Sequence, residues 1–309
     1  MVLNILLVIV GIALVLWGAD RFTDGASGLA RKWHVSELVI GLTVVAMGTS
    51  LPELMVSLFS SLNGSSDMSV GNIVGSNIFN TLVIVGASAL MLPVPISKGV
   101  LYRDIPLSFL FAGILYLLCM DAVITRLDAA ILLILFCLFL AYTFYLATHG
   151  QRIEESAAEE NTILKLLLLL VVGVASLVIG GQLLVNNAAA LARIWGVKES
   201  VIGLTILAAG TSLPELATSM VAARKGSDGL ALGNAIGSNI FNVAFVLGIC
   251  NVILPMQVQQ ISMVDWSTFI LSNVALWLVA FTGKVLRKWE GILLLACYAA
   301  YLCYLLMHT

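Results

Sequence analysis

Charge is scarce in this chain. Only 10% of its 309 residues are Asp, Glu, Lys or Arg, where a soluble globular domain carries about 25%. The shortage excludes an ordinary solvated surface. Lys and Arg number 15 against 17 Asp and Glu, so there is no basic stripe, and no aromatic platform for nucleic acid. Histidine is limited to His34, His149 and His308, which are scattered and lack Asp or Glu at ligand spacing. Cys119, Cys137, Cys250, Cys297 and Cys303 form no CxxC or Cys/His cluster. They read as small buried hydrophobes. The HExxH, GxSxG and P-loop patterns are all missing. The chain is therefore not expected to be an enzyme, and no cofactor is expected.

What is abundant is apolar. Hydrophobic residues make up 61% of the chain, against about 45–50% in soluble domains. They come in blocks of roughly 20 residues, the length of a bilayer-crossing helix. Reading blocks between charged or Gly/Pro punctuation predicts about ten spans. They run near 2–19, 37–62, 69–92, 104–120, 127–148, 163–186, 199–223, 230–253, 266–283 and 289–307. The start, "MVLNILLVIVGIALVLW", has neither a basic leader nor an A-x-A cleavage site, and reads as a retained first span.

A repeat organises these spans. Shifting the sequence by 162 positions aligns Gly18 with Gly180, Trp33 with Trp195, and Asn80 with Asn242. Over 41–90 against 203–252, 23 of 50 positions are identical, too many for composition alone. Five spans per repeat is an odd number, so the second copy must be upside down. The expected fold is an all-α integral membrane protein of about ten helices in two inverted five-helix repeats, with broken helices at an ion site. The expected units are 1–148, a linker 149–162, and 163–309.

Basic residues set the orientation. With the N-terminus outside, inner loops carry 12 Lys and Arg and outer loops carry only Arg126, Arg193 and Lys198. That bias places both termini outside and the 149–162 linker in the cytoplasm. The linker lacks EF-hand spacing and reads as a solvated connection. The short loops suggest a prokaryotic inner membrane.

Two motifs break the apolar pattern. "GTSLPE" stands at 48–53 and again at 210–215. Pro52 cannot donate to the carbonyl a turn earlier, near Gly48, and Gly48 permits local unwinding. Gly210 and Pro214 repeat the device. Freed carbonyls at membrane depth are tolerated only inside protein or on a polar cavity. Glu53 and Glu215 add charges, which are costly there and functional by default. "GNIVGSNIFN" at 71–80 and "GNAIGSNIFN" at 233–242 follow. Asn72, Ser76 and Asn80 share one helix face, as do Asn234, Ser238 and Asn242. Asn77 and Asn239 lie off that stripe and carry less weight as ligands; their amides could cap freed backbone. Gly71 and Gly75 are expected to let their helix pack closely on a neighbour.

Carboxylate, hydroxyl, amide and carbonyl oxygens are hard ligands. They suit Ca²⁺, which takes about 6–8 oxygens, and Na⁺. Two carboxylates balance one divalent ion or two monovalent ones, the logic of an antiporter. Zinc and copper lack soft ligands here, and Mg²⁺ demands a tighter octahedron.

With its doubled "GTSLPE" and "GSNIFN" segments, the chain resembles the sodium/calcium exchanger family, within the calcium:cation antiporters, in its prokaryotic branch. The resemblance implies exchange of Na⁺ for Ca²⁺ by alternating access. It implies that Glu53 and Glu215 bind both ions, with the carbonyls of Thr49 and Thr211 beside them. Ser50, Ser212, Ser76, Ser238, Ala46 and Ala208 would serve flanking Na⁺ sites, and Asn80 and Asn242 would line the middle. Some relatives carry an acid at one of these last two positions; this chain has Asn at both. The first and sixth spans would slide as a gate. Transported ions and the lipid bilayer are then the only partners expected.

Two related readings use the same residues: a proton-coupled or a K⁺-dependent Ca²⁺ antiporter. A passive cation channel is a different class, and the inverted repeat with broken helices argues against it.

Overall fold

The structure, a computed structural model, describes residues 1–149, 161–196, 208–259 and 261–308. Among them, eight helices are long and apolar enough to cross a membrane, and a bent pair makes a ninth crossing. The first half holds α1 (Val2–Lys32), α2 (Glu37–Thr49), α3 (Leu51–Leu62), α4 (Ser66–Met91), α5 (Val100–Leu118) and α6 (Arg126–His149). The second holds α7 (Ile163–Ile194), α8 (Leu213–Arg224), α9 (Asp228–Ile253), α10 (Met263–Phe281) and α11 (Lys288–His308). The expected span 199–223 is described only from 208 onward, and most of the 149–162 linker lies outside the described residues.

Helices dominate because hydrocarbon offers backbone groups no other partner. The burial pattern separates a lipid-facing shell from a centre. Of the apolar windows of α4 and α9, 78% is buried, against 17% for α11 and 22% for α1. On α1, Leu3, Leu6, Ile9 and Leu16 are all exposed. Such a surface would be an aggregation hazard in water and is the expected one against lipid.

The first span is longer than the expected 2–19. Its helix continues to Lys32. Asp20 and Asp24 lie within it, and Lys225 Nζ lies 2.6 Å from an oxygen of each. The sixth span likewise runs past 186 to Ile194.

α1 and α7 lie antiparallel and almost backbone to backbone. A Cβ on Gly11 would sit 2.7 Å from Leu184 N, and one on Gly18 would sit 2.9 Å from the Gly173 carbonyl. The equivalent Gly180 would place one 2.9 Å from the Gly11 carbonyl. Only glycine allows that approach.

The halves exchange elements. α6 packs on α9, where Gly248 meets Leu133, and α11 packs on α4, where Gly86 meets Gly291. Two short ribbons do the same. β1 (Val94–Pro95) pairs antiparallel with β4 (Val285–Leu286), and β2 (Val123–Ile124) pairs with β3 (Met256–Gln257). β1 and β3 are 162 positions apart, as are β2 and β4. Each ribbon therefore joins a strand of one repeat to the non-equivalent strand of the other, as an inverted pair requires.

Two expectations need correction or limits. Cys119 and Cys250 are buried, but Cys137, Cys297 and Cys303 are exposed on outward faces, where lipid accepts a thiol as readily as a core does. Gly71 and Gly75 meet no described atom within 4 Å of a built Cβ. Their equivalents do pack closely: Gly233 against Leu38 and Gly41, and Gly237 against Leu42. The counterpart of 37–42 is 199–204, outside the described residues.

Candidate functional site

The site begins with two helix breaks. α2 ends at Thr49, Ser50 leaves helical geometry at φ −84° and ψ 11°, and α3 departs at 45° with Pro52 in its first turn. Ser212 does the same at φ −89° and ψ 10°, with Pro214 following. Proline has no N–H to return to the carbonyl of Gly48 or Gly210, so the break is local chemistry. Each break carries its Glu into the first turn of the next helix, where the helix dipole favours negative charge.

The breaks meet. Ser50 Oγ donates to Glu215 Oε1 at 2.8 Å, and Ser212 Oγ donates to Glu53 Oε1 at 2.9 Å. Each half thus supplies the hydroxyl that holds the other half's carboxylate. Both Glu side chains are fully buried. A third hydroxyl, on Ser76, approaches Glu53 Oε1 at 3.4 Å, whereas its equivalent on Ser238 has no partner among the described residues.

The two central helices brace this arrangement. Asn234 Nδ2 donates to the Glu215 carbonyl at 3.2 Å and to Ser219 Oγ at 2.9 Å. Asn72 Nδ2 makes the matching pair, to the Glu53 carbonyl at 3.4 Å and to Ser57 Oγ at 3.1 Å. Thr49 Oγ1 reaches Asn234 Oδ1 at 3.0 Å and the Val45 carbonyl at 3.1 Å. The first Asn of each stripe therefore holds the Glu-bearing helix in place.

Asn80 and Asn242 each open a π-helical turn, Asn80–Ile84 and Asn242–Val246. Such turns widen the helix and recur at functional sites. Both side chains are fully buried. A set of buried oxygens here has no hydrogen-bond partner among the described protein atoms: Glu53 Oε2, Glu215 Oε2, Asn80 Oδ1, Asn242 Oδ1, Thr211 Oγ1 and Ser238 Oγ. Buried polar atoms are normally paired, and an unpaired one costs about 1–3 kcal/mol. Six unpaired hard oxygens, two of them from the carboxylates themselves, make a donor set suited to a desolvated cation.

Most predicted site residues converge. Thr49, Ser50, Glu53, Ser76, Ser212, Glu215 and Asn234 are joined by the bonds above. Ala46 is buried beside them, and its carbonyl accepts the Ser50 N–H at 3.1 Å. Ala208 starts the short turn Ala208–Gly210. Gly48 and Gly210 do more than permit unwinding: a Cβ on Gly48 would lie 2.9 Å from the Phe22 ring, and one on Gly210 would lie 2.6 Å from Val185. Asn77, expected to cap backbone with its amide, does bond a backbone carbonyl, whereas Thr81 carried no expectation. Asn77 Nδ2 donates to the Asn239 carbonyl at 3.0 Å, and Asn239 Nδ2 donates to Thr81 Oγ1 at 2.8 Å. The available signal was that Thr81 and Val243 are the first mismatch after six identical letters. A separate surface cavity of ≈ 840 Å³, beside His34, Glu37 and Arg103, contains none of these site residues.

Comparison with known proteins agrees with this geometry. The family described as "Sodium/calcium exchanger protein" matches residues 3–145 and 165–307. CaxA of Alkalimonas amylolytica is 40% identical over 312 residues, covering 97% of this chain and 98% of its own. The sodium/calcium exchanger MaX1 of Methanosarcina acetivorans is 32% identical over 341 residues, covering 97% of each chain. A solved structure of the sodium-calcium exchanger NCX_Mj superposes with a TM-score of 0.86 at 32% identity, over 98% of each chain. With both repeats matched and nearly the whole length covered, the chain belongs to the sodium/calcium exchanger family.

Proposed function

We propose that this protein exchanges Na⁺ for Ca²⁺ across the membrane, with Glu53 and Glu215 as the shared charged ligands. The observation that carries the reading is the pair of fully buried carboxylates, each with one oxygen held by a serine of the other half and one left free. Two negative charges balance one Ca²⁺ or two Na⁺, so the occupants exclude one another. Ser50 and Ser212 orient the carboxylates. The carbonyls of Thr49 and Thr211, at the two breaks, complete the Ca²⁺ shell. Ser76, Ser238, Ala46 and Ala208 serve the flanking Na⁺ positions, and Asn80 and Asn242 line the centre with neutral oxygens. Gly48, Pro52, Gly210 and Pro214 keep the backbone open.

The two repeats, 1–148 and 163–309, act as inverted halves joined by a cytoplasmic 149–162 linker. Both termini face outward, in an inner membrane. If three Na⁺ move per Ca²⁺, one net charge crosses, worth about 2.3 kcal/mol per 100 mV. Protons bind the same carboxylates, so acidification should weaken apparent Ca²⁺ affinity by competition.

The test is Ca²⁺ uptake into proteoliposomes with an imposed Na⁺, H⁺ or K⁺ gradient and clamped voltage. Uptake should require internal Na⁺. Full uptake driven by a pH gradient without Na⁺ would overturn the sodium assignment in favour of proton coupling. For topology, an impermeant thiol reagent on intact cells should spare a cysteine introduced at Ser156 in a cysteine-free background. Labelling from outside would reverse the orientation.

A further inference from the structure

Amide orientations at the crossing of α4 and α9 follow from one group that can only accept. The Asn239 backbone carbonyl has no proton to give, so Asn77 must approach it with Nδ2, at 3.0 Å. That turns Asn77 Oδ1 the other way, where it accepts from Asn242 Nδ2 at 3.0 Å. Asn242 must then turn its own Oδ1 away from Asn77. That oxygen is buried and has no hydrogen-bond partner among the described residues. A backbone carbonyl thus fixes, through two side chains, which atom Asn242 presents.

The mirror-image chain is not made. Repeat symmetry would have Asn239 Nδ2 donate to the Asn77 carbonyl, and Asn239 Oδ1 accept from Asn80 Nδ2. Thr81 intervenes. Its Oγ1 donates to the Asn77 carbonyl at 2.8 Å. A hydroxyl has one proton, so Thr81 Oγ1 can only accept from Asn239 Nδ2, at 2.8 Å. Among the described residues, Asn239 Oδ1 is left without a partner, as are both Oδ1 and Nδ2 of Asn80. The equivalent of Thr81 is Val243, which cannot form such a relay.

We propose that Asn77 is a positioning residue that holds Asn242 as a fixed oxygen donor to the cation, while Thr81 leaves Asn80 free to rotate. This rests on the exchanger reading above. A fixed amide oxygen costs no rotamer entropy when the ion arrives. A free amide can present Oδ1 to a bound cation and turn Nδ2 toward a carboxylate once the cation has left. One residue difference between the repeats then gives the pocket a rigid wall and an adjustable wall.

The experiment measures radiolabelled Ca²⁺ uptake into Na⁺-loaded proteoliposomes, separating apparent KM for Ca²⁺ from the maximal rate. Thr81→Val frees the Asn77 carbonyl for the direct contact and fixes Asn80. Its KM should fall about threefold and its maximal rate should drop, as preorganisation predicts. The change should vanish in an Asn80→Ala background and persist in an Asn242→Ala background. Asn77→Ala should raise KM by about tenfold, and by far less when Asn242 is already Ala, a coupling within the range for residues in contact. Val243→Thr places a competing hydroxyl at the Asn239 carbonyl and should also raise KM. Additive effects of Thr81→Val with Asn80→Ala, or of Asn77→Ala with Asn242→Ala, would overturn the positioning roles. Unchanged KM in both Asn80→Ala and Asn242→Ala would instead sink the central-pocket reading, a separate result. If Asn77→Ala fails to fold, the Thr81 and Val243 variants decide, since each installs the residue that the other repeat already tolerates.

Discussion

Lys225 marks where the two halves of the molecule diverge. Its ammonium lies 2.6 Å from Asp20 Oδ1 and 2.6 Å from Asp24 Oδ1, tying the end of α8 to α1. The equivalent residues in the other half are Asn63, Gln182 and Asn186, which carry no charge. Buried hydroxyls differ between equivalent positions as well. Thr23, Ser27 and Thr218 are buried, and their equivalents are Val185, Ala189 and Val56. Ser27 Oγ lies 3.2 Å from Ser227 Oγ, and Ser227 Oγ donates to Glu37 Oε1 at 3.0 Å. The letters at the two helix breaks are duplicated; their surroundings are not. Inverted repeats make two opposite-facing states available. Only unequal surroundings can make those states unequal in energy, because a ligand or membrane acting equally on both shifts nothing.

The largest break in the comparison should come from the carboxylates. Glu53→Gln and Glu215→Gln each leave one buried charge facing a cation alone. Each should cost about 3 kcal/mol or more, about 100-fold in Ca²⁺ flux. Proteoliposome uptake by a well-folded variant decides it, and wild-type flux from either would remove that residue from the site.

Next in size is the α1–α7 contact. Gly18→Val and Gly180→Val put a side chain where a Cβ already lies within 2.9 Å of the partner helix. Each should destabilise the protein by about 1–3 kcal/mol through overpacking. Thermal unfolding of purified protein reads the loss. The two halves should respond alike, and a harmless substitution at one of them would mean the helices are not so closely apposed.

The crossed serines should also respond alike. Ser50→Ala and Ser212→Ala each remove a hydrogen bond to a charged group, worth about 1.5–3 kcal/mol. Ca²⁺ binding by calorimetry in Na⁺-free buffer should weaken more than tenfold in both. Ser76→Ala should do less, because its contact with Glu53 is long at 3.4 Å. A greater effect from Ser76 than from Ser212 would reverse the assignment of which hydroxyl holds Glu53.

The smallest effect should come from Lys225→Asn, which installs the residue found in the other half. Partly exposed ion pairs contribute about 0.2–1 kcal/mol and weaken with salt. The ratio of forward to reverse exchange should shift by a few-fold at most, and the shift should fade at high ionic strength. A salt-independent change would point to a role other than the ion pair.

Much of the fold was legible because its causes are local. Blocks of Leu, Val and Ile about one bilayer long announce spans, and proline and glycine in such a block announce a break. The boundaries of the first and sixth spans were not legible, because a helix need not stop where its apolar block stops. Asp20 and Asp24 looked like the end of a span, yet the helix runs on to Lys32 with both carboxylates paired to Lys225. Glu53 and Glu215 were legible as site residues because charge at membrane depth needs a function. Thr81 was not, because threonine in a helix usually bonds its own backbone, and nothing in its neighbours marks Asn239 as a partner. The π-helical turns at Asn80 and Asn242 have no sequence signature at all.

The sequence by itself determined the membrane class, the duplication, the inversion and the residues at both helix breaks. Each of these depends on composition, spacing or the parity of spans, which do not require knowing what touches what. Tertiary structure alone decided that Ser50 serves Glu215 and Ser212 serves Glu53, across separations of 165 and 159 residues. It also decided that the ribbons exchange partners between halves and that Asn77 orients Asn242. Hydrogen bonds discriminate over tenths of an ångström. At that scale, which buried oxygen is paired and which is free depends on how two inverted copies pack, and a linear pattern repeated twice carries no such information.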